Sequence, residues 1–209
     1  MIEILDLGIN NLSSISRAFI SSSSEDNVQI LEEPGDYTKK SLLVLPGLGS
    51  FSSGMFALRD RNLDQYIIHK VKAGSHLVGI CLGMQLLGNT SQESPGIGGL
   101  ALIRGESKLL KPHNCEKVPH IGWNEVLPAK DVSLLGQLRA GKDFYFVHSY
   151  HFSPEDAEDV LTVTPFGEVN FTSAVMQGRV LGFQFHPEKS GSGGRNLISQ
   201  IIQWSNNEE

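Results

Sequence analysis

The stretch that decides the fold is Leu77-Val78-Gly79-Ile80-Cys81-Leu82-Gly83-Met84-Gln85-Leu86-Leu87. Its first four residues form an apolar run typical of a buried strand, and its last four are typical of a helix start. Residues 79–83 match G-x-S-x-G with cysteine in the serine position, a pattern that holds a nucleophile on a tight strand-to-helix turn. Glycines on both sides let the backbone bend, and a helix N-terminus favours the thiolate. The pentapeptide alone equally fits a small buried cysteine in an α/β core.

A second segment near the C-terminus favours the nucleophile. Residues 180–185 predict a strand that runs directly into His186-Pro187-Glu188. Residues two apart in extended backbone project to the same side, so Glu188 can hold one ring nitrogen of His186 while the other faces Cys81. Alone, this segment would fit a strand-end histidine followed by a solvated glutamate. Together with the cysteine turn, it predicts a Cys-His-Glu triad.

Composition narrows the class of protein. The chain has 209 residues, of which 40% are hydrophobic, and we expect a single domain over residues 1–209. The formal net charge of −6 offers no basic surface for nucleic acid. Two cysteines, Cys81 and Cys115, do not indicate a disulfide scaffold and fit a reducing, cytoplasmic compartment. Residues 1–5 predict a strand rather than a signal peptide, and no apolar run is long enough for a membrane span.

The order of predicted elements indicates an α/β fold. Strands are predicted at residues 2–5, 28–31, 42–45, 77–80, 144–150, 174–176 and 180–185, and helices at 12–20, within 58–71, after 81 and at 197–204. Residues 96–131 show no helical period, and residues 190–194 have the composition of a flexible Gly/Ser turn. Alternating strands and helices at the start predict a largely parallel sheet covered by helices.

A glycine-containing loop is a candidate for stabilising negative charge. Pro46-Gly47-Leu48-Gly49 follows the strand at 42–45, so it lies at the same carboxyl edge of the sheet as Cys81. Attack of a nucleophile on a carbonyl group puts negative charge on the carbonyl oxygen, which needs backbone N–H donors. The N–H of Leu82, directly after the nucleophile, is one natural donor, and this loop is the second candidate. The alternative is an ordinary Pro-Gly turn.

Four blocks of sequence carry a resemblance to a known family. The Cys81 block, followed by Phe185-His186-Pro187-Glu188, resembles the triad (class I) glutamine amidotransferases. The two further blocks are Lys117-Val118-Pro119-His120-Ile121-Gly122-Trp123-Asn124 and Tyr145-Phe146-Val147-His148-Ser149-Tyr150. With these, nearly the whole chain is similar to the glutaminase subunits of imidazole glycerol phosphate synthases.

The resemblance implies both fold and activity. The fold would be α/β and flavodoxin-like, with a mostly parallel mixed sheet and helices on both faces. The chain would hydrolyse L-glutamine through a cysteine thioester, without a cofactor, and channel ammonia to a (β/α)8-barrel cyclase partner in histidine biosynthesis. Alternatives are a paralogous subunit that supplies ammonia for sugar-nucleotide amidation in surface polysaccharide synthesis, and, from another class, a non-catalytic binding module. The intact Cys81, His186 and Glu188 argue against the binding module.

The resemblance also assigns residues to roles. Oxyanion stabilisation would fall to Gly47, Leu48, Gly49 and Leu82. Glutamine contacts would come from Gly49, Gln85, Glu93, Ser149 and Tyr150. The partner interface would include Asn11, Trp123, Asn124, Tyr145 and Lys189. The chain departs from the family pattern at Leu48, where valine is usual, and at Asn10, where glycine is usual.

The chemistry of some of these residues fits independently of the family. Gln85 lies four residues after Cys81, on the same face of the predicted helix. The carboxylate of Glu93 can hold an α-ammonium group, although a solvated loop acid is the simpler interpretation from sequence alone. Trp123 at a surface would be a typical interface anchor, and ordinary core packing is the alternative.

The remaining histidines raise the question of a metal site. His113, Cys115 and His120 cluster in the sequence, but their spacing matches no common zinc pattern and a fourth ligand is missing. We therefore predict no metal. His148 and His151 flank a predicted strand end, where either could support the site residues.

Overall fold

The computed structural model of the protein describes residues 1–8, 12–23, 27–112, 117–130, 133–138 and 141–207. The strands are β1 Ile2–Leu5, β2 Val28–Leu31, β3 Leu42–Gly47, β4 His76–Cys81, β5 Thr90–Ser91, β6 Gly105–Leu109, β7 His120–Pro128, β8 Lys142–His148, β9 Tyr150–Pro154, β10 Val160–Phe166, β11 Val169–Gln177 and β12 Val180–Phe183. The helices are α1 Leu12–Ser22, α2 Phe51–Asp60, α3 Leu63–Lys72, α4 Leu82–Leu86 and α5 Gly191–Asn206. Short 3-10 turns lie at Ser133–Leu138, Ala157–Asp159 and Pro187–Lys189.

The main sheet has the order β2-β1-β3-β4-β12-β11-β10-β7-β8. Its first five strands are parallel, and their order matches the 2-1-3-4-5 arrangement of flavodoxin-like folds. The other four neighbouring pairs are antiparallel. A smaller sheet has the order β5-β6-β9. The predicted mixed sheet is confirmed, with an antiparallel portion larger than the sequence indicates.

Helices cover both faces of the parallel half. Successive strand side chains alternate between faces, so Val44 and Val78 pack with α1 and α5 in one cluster of buried residues. Leu43, Leu45 and Leu77 pack with α2, α3 and α4 in a second cluster. Because both faces are buried, these strands read as continuous apolar runs in the sequence. No helix within the described ranges is long and apolar enough to cross a membrane.

Several elements were not predicted. These include α2, β9 and β10, together with β6 and β7, which lie in the region of residues 96–131 where no strand was specified. The start of the last helix was placed at residue 197 rather than at Gly191. The segment at 190–194 is the first turn of α5 and not a flexible loop. A Cβ on Gly194 would lie 1.9 Å from the carbonyl oxygen of Pro187. The small residues therefore permit a close approach between α5 and the preceding turn.

Candidate active site

Cys81 occupies a strained turn at the carboxyl edge of the parallel strands. It is the last residue of β4 and precedes α4, with φ 55° and ψ −108°. Few non-glycine residues adopt a positive φ, and such a conformation costs about 1–3 kcal/mol that the surrounding structure must offset. The residue is 5% exposed. Strain of this kind is concentrated at functional sites.

The two glycines that flank Cys81 serve a purpose other than the predicted one. Neither Gly79 nor Gly83 has a positive φ; the unusual conformation falls on Cys81 itself. A Cβ on Gly79 would lie 2.6 Å from the carbonyl carbon of Gly83, and a Cβ on Gly83 would lie 1.8 Å from the carbonyl oxygen of Leu45. The glycines therefore let α4 pack directly on the backbone of β3 and β4.

His186 and Glu188 form a tight buried pair in the turn after β12. The His186 Nδ1 donates to Glu188 Oε1 at 2.8 Å, and the two side chains are 3% and 1% exposed. The backbone N–H of His186 donates to the carbonyl of Tyr145 at 2.9 Å, and the Ser190 hydroxyl donates to the carbonyl of His186 at 2.6 Å. These contacts hold the ring in place and direct its Nε2 away from Glu188.

The electrostatic environment keeps His186 protonated. Burial opposes the charged form, but the charge and hydrogen-bonding capacity of the Cys81 sulfur and of the Glu188 carboxylate outweigh it and raise the pKa of His186 to about 10. Among the described residues, His186 Nε2 is buried without a completed hydrogen bond. The ring and the sulfur therefore interact electrostatically, with Nε2 available to exchange a proton.

The predicted site residues meet around one cavity of about 240 Å³. It is lined by Leu48, Gly49, Cys81, Leu82, Gln85, Glu93, Ser149 and Tyr150, all of them predicted, and by Pro119, Val147 and His148. A smaller adjacent cavity is lined by Ile15, Pro46, Gly47, Leu48, Ile80, His186 and Glu188. The described residues contain no cluster of three or more His, Cys, Asp or Glu that could hold a metal.

The loop after β3 lies directly beside the strained turn. Gly47 is paired with Cys81 in the register of β3 and β4, and a Cβ on Gly47 would lie 3.0 Å from the Leu82 Cβ. Gly49 has φ 102°, while a Cβ there would meet nothing within 4 Å, so its requirement for glycine is conformational. The loop thus brings backbone groups to the edge where the sulfur lies.

Glu93 is not a solvated loop acid. Its Oε2 accepts a hydrogen bond of 2.6 Å from the backbone N–H of Phe51, the first residue of α2. Ser94 accepts in the same way from the N–H of Ser52 at 3.2 Å. A carboxylate at this position compensates the unpaired donors and the positive end of the helix. Glu93 thereby anchors the cavity wall to α2.

A chain of buried amides joins the cavity to the sulfur. Gln85 Nε2 donates to the carbonyl of Tyr150 at 2.8 Å and to Gln184 Oε1 at 3.2 Å. Gln184 Nε2 then points at Cys81 Sγ at 3.8 Å. The sequence analysis missed Gln184, although it is the one strongly polar side chain in the apolar run at 180–185.

Two neutral histidines continue this network away from the cavity. His148 Nδ1 donates to the carbonyl of Tyr150 at 2.9 Å, so its Nε2 accepts from His120 Nδ1 at 3.0 Å. Asn124 Nδ2 approaches His120 Nε2 at 3.4 Å and donates to the carbonyl of Pro165 at 2.7 Å. Burial lowers the pKa of His148 to about 3 and that of His120 to about 4. Both rings are therefore uncharged at neutral pH.

The predicted interface residues cluster around an exposed tryptophan on β7, and the other described members, Asn124, Tyr145 and Lys189, are half-buried. Trp123 is 55% exposed, so core packing does not explain it, and its neighbour Ile121 is 61% exposed. Trp123 pairs with Tyr145 across β7 and β8, with ring centroids 6.2 Å apart. Lys189 Nζ lies 5.8 Å from the centre of the Tyr145 ring. Asn10, Asn11, His113 and Cys115 lie outside the described residues.

Comparison with known proteins agrees with this geometry. A family model described as glutamine amidotransferase class-I matches residues 3–203. The chain is 40% identical to imidazole glycerol phosphate synthase subunit HisH of Pyrococcus furiosus, over 94% of this chain and 95% of that protein. It is also 40% identical to the HisH subunit of Thermotoga maritima, over 98% and 97% of the two chains. A crystal structure of a glutamine amidotransferase superposes with a TM-score of 0.73 at 17% identity, covering 99% of both chains. The chain therefore belongs to the class-I glutamine amidotransferase family.

Proposed function

We propose that this chain is the glutaminase subunit of an imidazole glycerol phosphate synthase. It hydrolyses L-glutamine and passes ammonia to a (β/α)8-barrel cyclase partner in histidine biosynthesis. The observation that carries the proposal is the convergence of the Cys81 sulfur, the His186–Glu188 pair and the 240 Å³ cavity at one sheet edge. The HisH relatives, about 40% identical over nearly the whole chain, support the pathway.

In the first half of the reaction, the Cys81 sulfur attacks the side-chain carbonyl carbon of glutamine. The carbonyl oxygen becomes negatively charged and is stabilised by the backbone N–H of Leu82 and a backbone N–H of the loop at 47–49. Protonated His186 gives its Nε2 proton to the departing nitrogen, so the C–N bond breaks, ammonia leaves and a γ-glutamyl thioester remains on Cys81.

In the second half, water attacks the thioester. Neutral His186 accepts a proton from that water, the carbon–sulfur bond breaks, and glutamate leaves. Glu188 keeps the His186 ring oriented and stabilises its positive charge throughout. The protonated imidazole and the anionic sulfur are then restored for the next cycle. No cofactor is needed for this sequence of steps.

The cavity walls are suited to hold glutamine. Gln85 and Gly49 line the part next to Cys81, where the carboxamide must bind. The carboxylate of Glu93 is suited to the α-ammonium group, and the polar groups of Ser149 and Tyr150 are suited to the α-carboxylate. This arrangement places the reactive carbonyl within reach of the sulfur.

The cluster of exposed Trp123 with half-buried Tyr145 and Lys189 is the proposed partner interface. Exposed aromatic side chains are typical anchors of protein–protein interfaces. Asn124 follows Trp123 and connects through His120 and His148 to the cavity wall, which supports an interface close to the ammonia exit. We further propose that residues 1–209 act as a single glutaminase domain in the cytoplasm, together with this partner.

The test is a comparison of wild-type protein with Cys81→Ala in the presence of the copurified partner. Glutamine-dependent turnover should be lost in Cys81→Ala, whereas turnover with free ammonium should persist because the acceptor chemistry lies in the partner. Mass spectrometry of the copurified partner identifies the pathway. A sugar-nucleotide amidating protein in place of a cyclase would overturn the histidine assignment, and glutaminase activity retained in Cys81→Ala would overturn the mechanism.

The interface is tested by Trp123→Ala, with Phe56→Ala as the matched control. Phe56 is an equally exposed aromatic residue on α2, at 57%. Loss of an interface anchor should weaken the complex about tenfold or more, while the control should bind as wild type does. Equal binding by both variants would place the interface elsewhere.

A further inference from the structure

Gln184 is a fully buried polar residue that the reaction steps above do not use. It is 0% exposed and lies between Phe183 and Phe185, directly before His186. A carboxamide in such surroundings costs free energy unless its polar atoms are hydrogen-bonded. Its Oε1 accepts from Gln85, and its Nε2 faces the Cys81 sulfur. The residue therefore bridges the nucleophile and the cavity wall.

The direction of this bridge is determined by a backbone group. The carbonyl oxygen of Tyr150 can only accept hydrogen bonds, so the Gln85 atom that lies 2.8 Å from it must be Nε2. The same nitrogen lies 3.2 Å from Gln184, which must therefore present its oxygen there. The atom of Gln184 that faces the sulfur is then Nε2, a donor. The Tyr150 carbonyl therefore determines which atom is nitrogen and which is oxygen in both side-chain amides.

His148 reinforces this direction. Its Nδ1 donates to the same Tyr150 carbonyl at 2.9 Å, so both acceptor sites of that oxygen are used. A reversed Gln85 would place its oxygen against the carbonyl oxygen and lose both of its contacts. The nitrogen of Gln85 is thus committed to Tyr150 and Gln184, and its oxygen is the end that remains for a ligand in the cavity.

We propose that Gln184 is a positioning residue of the glutaminase site: it donates a hydrogen bond to the Cys81 sulfur and, together with the Tyr150 carbonyl, holds Gln85 Nε2, so that Gln85 Oε1 accepts from the substrate carboxamide. This inference rests on the proposed function for the identity of the substrate. The contact with the sulfur does not depend on it, because a buried N–H donor favours an anionic sulfur whatever that sulfur attacks.

The other ionisable groups around the sulfur come from the turn after β12, as Gln184 does, and from β8, β5 and β9, the last of which contributes Tyr150. His186 follows β12 and carries Glu188 behind it, His148 ends β8, and Glu93 follows β5. The neutral His148 and the anchored Glu93 keep their partners in the variants below. A changed reactivity of Cys81 would therefore be assigned to the amide at position 184.

The experiment follows alkylation of Cys81 by iodoacetamide as a function of pH, with the Cys81 peptide quantified by mass spectrometry. Gln184→Met keeps the length of the side chain without a donor, and Gln184→Glu keeps its shape but places a carboxylate beside the sulfur. Loss of one hydrogen bond should slow alkylation at pH 7 about two- to tenfold. The same loss should have a smaller effect on the alkylation rate at pH 9 than at pH 7. Gln184→Glu should slow alkylation more than Gln184→Met.

The matched control is Gln177→Leu. Gln177 is an exposed glutamine that donates to the buried Asp159 at 3.0 and 3.2 Å, at the other end of β11 from the site. Its removal should leave the pH profile of alkylation unchanged. Wild-type profiles in both Gln184 variants would overturn the proposal. Should either variant fail to fold, NMR of the wild-type protein decides. The side-chain N–H signals of Gln184 must then shift on alkylation of Cys81, and those of Gln177 must not.

Iodoacetamide needs no glutamine site, so this test separates the two proposals. If the Gln184 variants slow alkylation as expected but the wild-type chain has no glutaminase activity, the proposed function is refuted and the contact between Gln184 and the sulfur stands. Where glutaminase activity is present, Gln184→Met should also raise the KM for glutamine, because Gln85 Nε2 loses one of the two acceptors that hold it. An unchanged KM would contradict the part of the proposal that concerns Gln85.

Discussion

Cys81 is the residue at which the fold accepts backbone strain. With φ 55°, its backbone holds the sulfur at the cavity while β4 and α4 pack closely on either side. The residues Cys81, His186 and Glu188 were predictable because their signals are local in the sequence. Cys81 lies in a turn between two glycines, and His186 and Glu188 are two residues apart. Gln184 was not predictable, because its partners lie 99 and 103 positions away in the sequence.

Strain at Cys81 predicts an unusual order of stability between two inactive variants. Cys81→Gly should be more stable than Cys81→Ala by roughly 0.5–1 kcal/mol. The relief of about 1–2 kcal/mol from the positive φ exceeds the entropy cost of glycine, about 0.4–1 kcal/mol. Urea unfolding of the two variants measures the difference. A less stable Cys81→Gly would mean that the turn is not strained.

At the scale of elements, close backbone contacts explain what the sequence pattern does not show. Helix α2 was not predicted, although Ser50 caps its N-terminus locally by accepting from the N–H of Ser53 at 3.2 Å. A second stabilising contact comes from Glu93, 42 residues from Phe51. The small residues that open α5 indicated a loop, whereas Gly194 permits a close contact between α5 and the carbonyl group of Pro187 in the preceding turn. Packing contacts of this kind override local propensity.

Two glycine-to-alanine substitutions in helices should have opposite effects. A Cβ at Gly83 in α4 would lie 1.8 Å from the carbonyl oxygen of Leu45, whereas a Cβ at Gly193 in α5 meets nothing within 4 Å. Gly83→Ala should destabilise by about 3 kcal/mol or more through overpacking. Gly193→Ala should be neutral or stabilise by up to about 1 kcal/mol. Thermal unfolding provides the comparison, and a well-tolerated Gly83→Ala would refute the close packing of α4.

Across the whole molecule, the sequence indicated the parallel, helix-covered half better than the antiparallel half. Buried parallel strands are continuous apolar runs, which are easy to recognise. The antiparallel strands carry histidines, threonines and an exposed tryptophan whose roles depend on partners from other strands. His120 and His148, for example, are neighbours only because β7 and β8 pair.

The buried histidines predict a maximum of folding stability near pH 6.5. Burial lowers the pKa of His148 to about 3 and those of His120 and His151 to about 4. In the unfolded chain the pKa of histidine is about 6.5. Below that pH the unfolded chain binds protons that the folded chain does not, so the free energy of unfolding falls by up to about 1.4 kcal/mol per pH unit for each such proton. The pKa of His186 is raised to about 10. Its contribution is complete below about pH 6.5 and is lost as the pH rises toward 10.

Urea unfolding at pH 5, 6.5 and 8.5 checks this profile. His151→Gln removes one of the histidines whose pKa is lowered, so stability should fall less steeply as the pH drops below 6.5. These rings are not held neutral if the protein is more stable at pH 5 than at pH 6.5, or if the substitution leaves the loss of stability below pH 6.5 unchanged.

The central claim is that Cys81 carries the glutamyl group during turnover. The most direct measurement is rapid acid quenching of the assembled enzyme with L-glutamine, followed by mass spectrometry of the Cys81 peptide. We expect a γ-glutamyl thioester on Cys81 that is absent in Cys81→Ala and does not form at a comparable rate in His186→Ala. Glutamate release without an adduct on Cys81, or with an adduct on another residue, would contradict this claim.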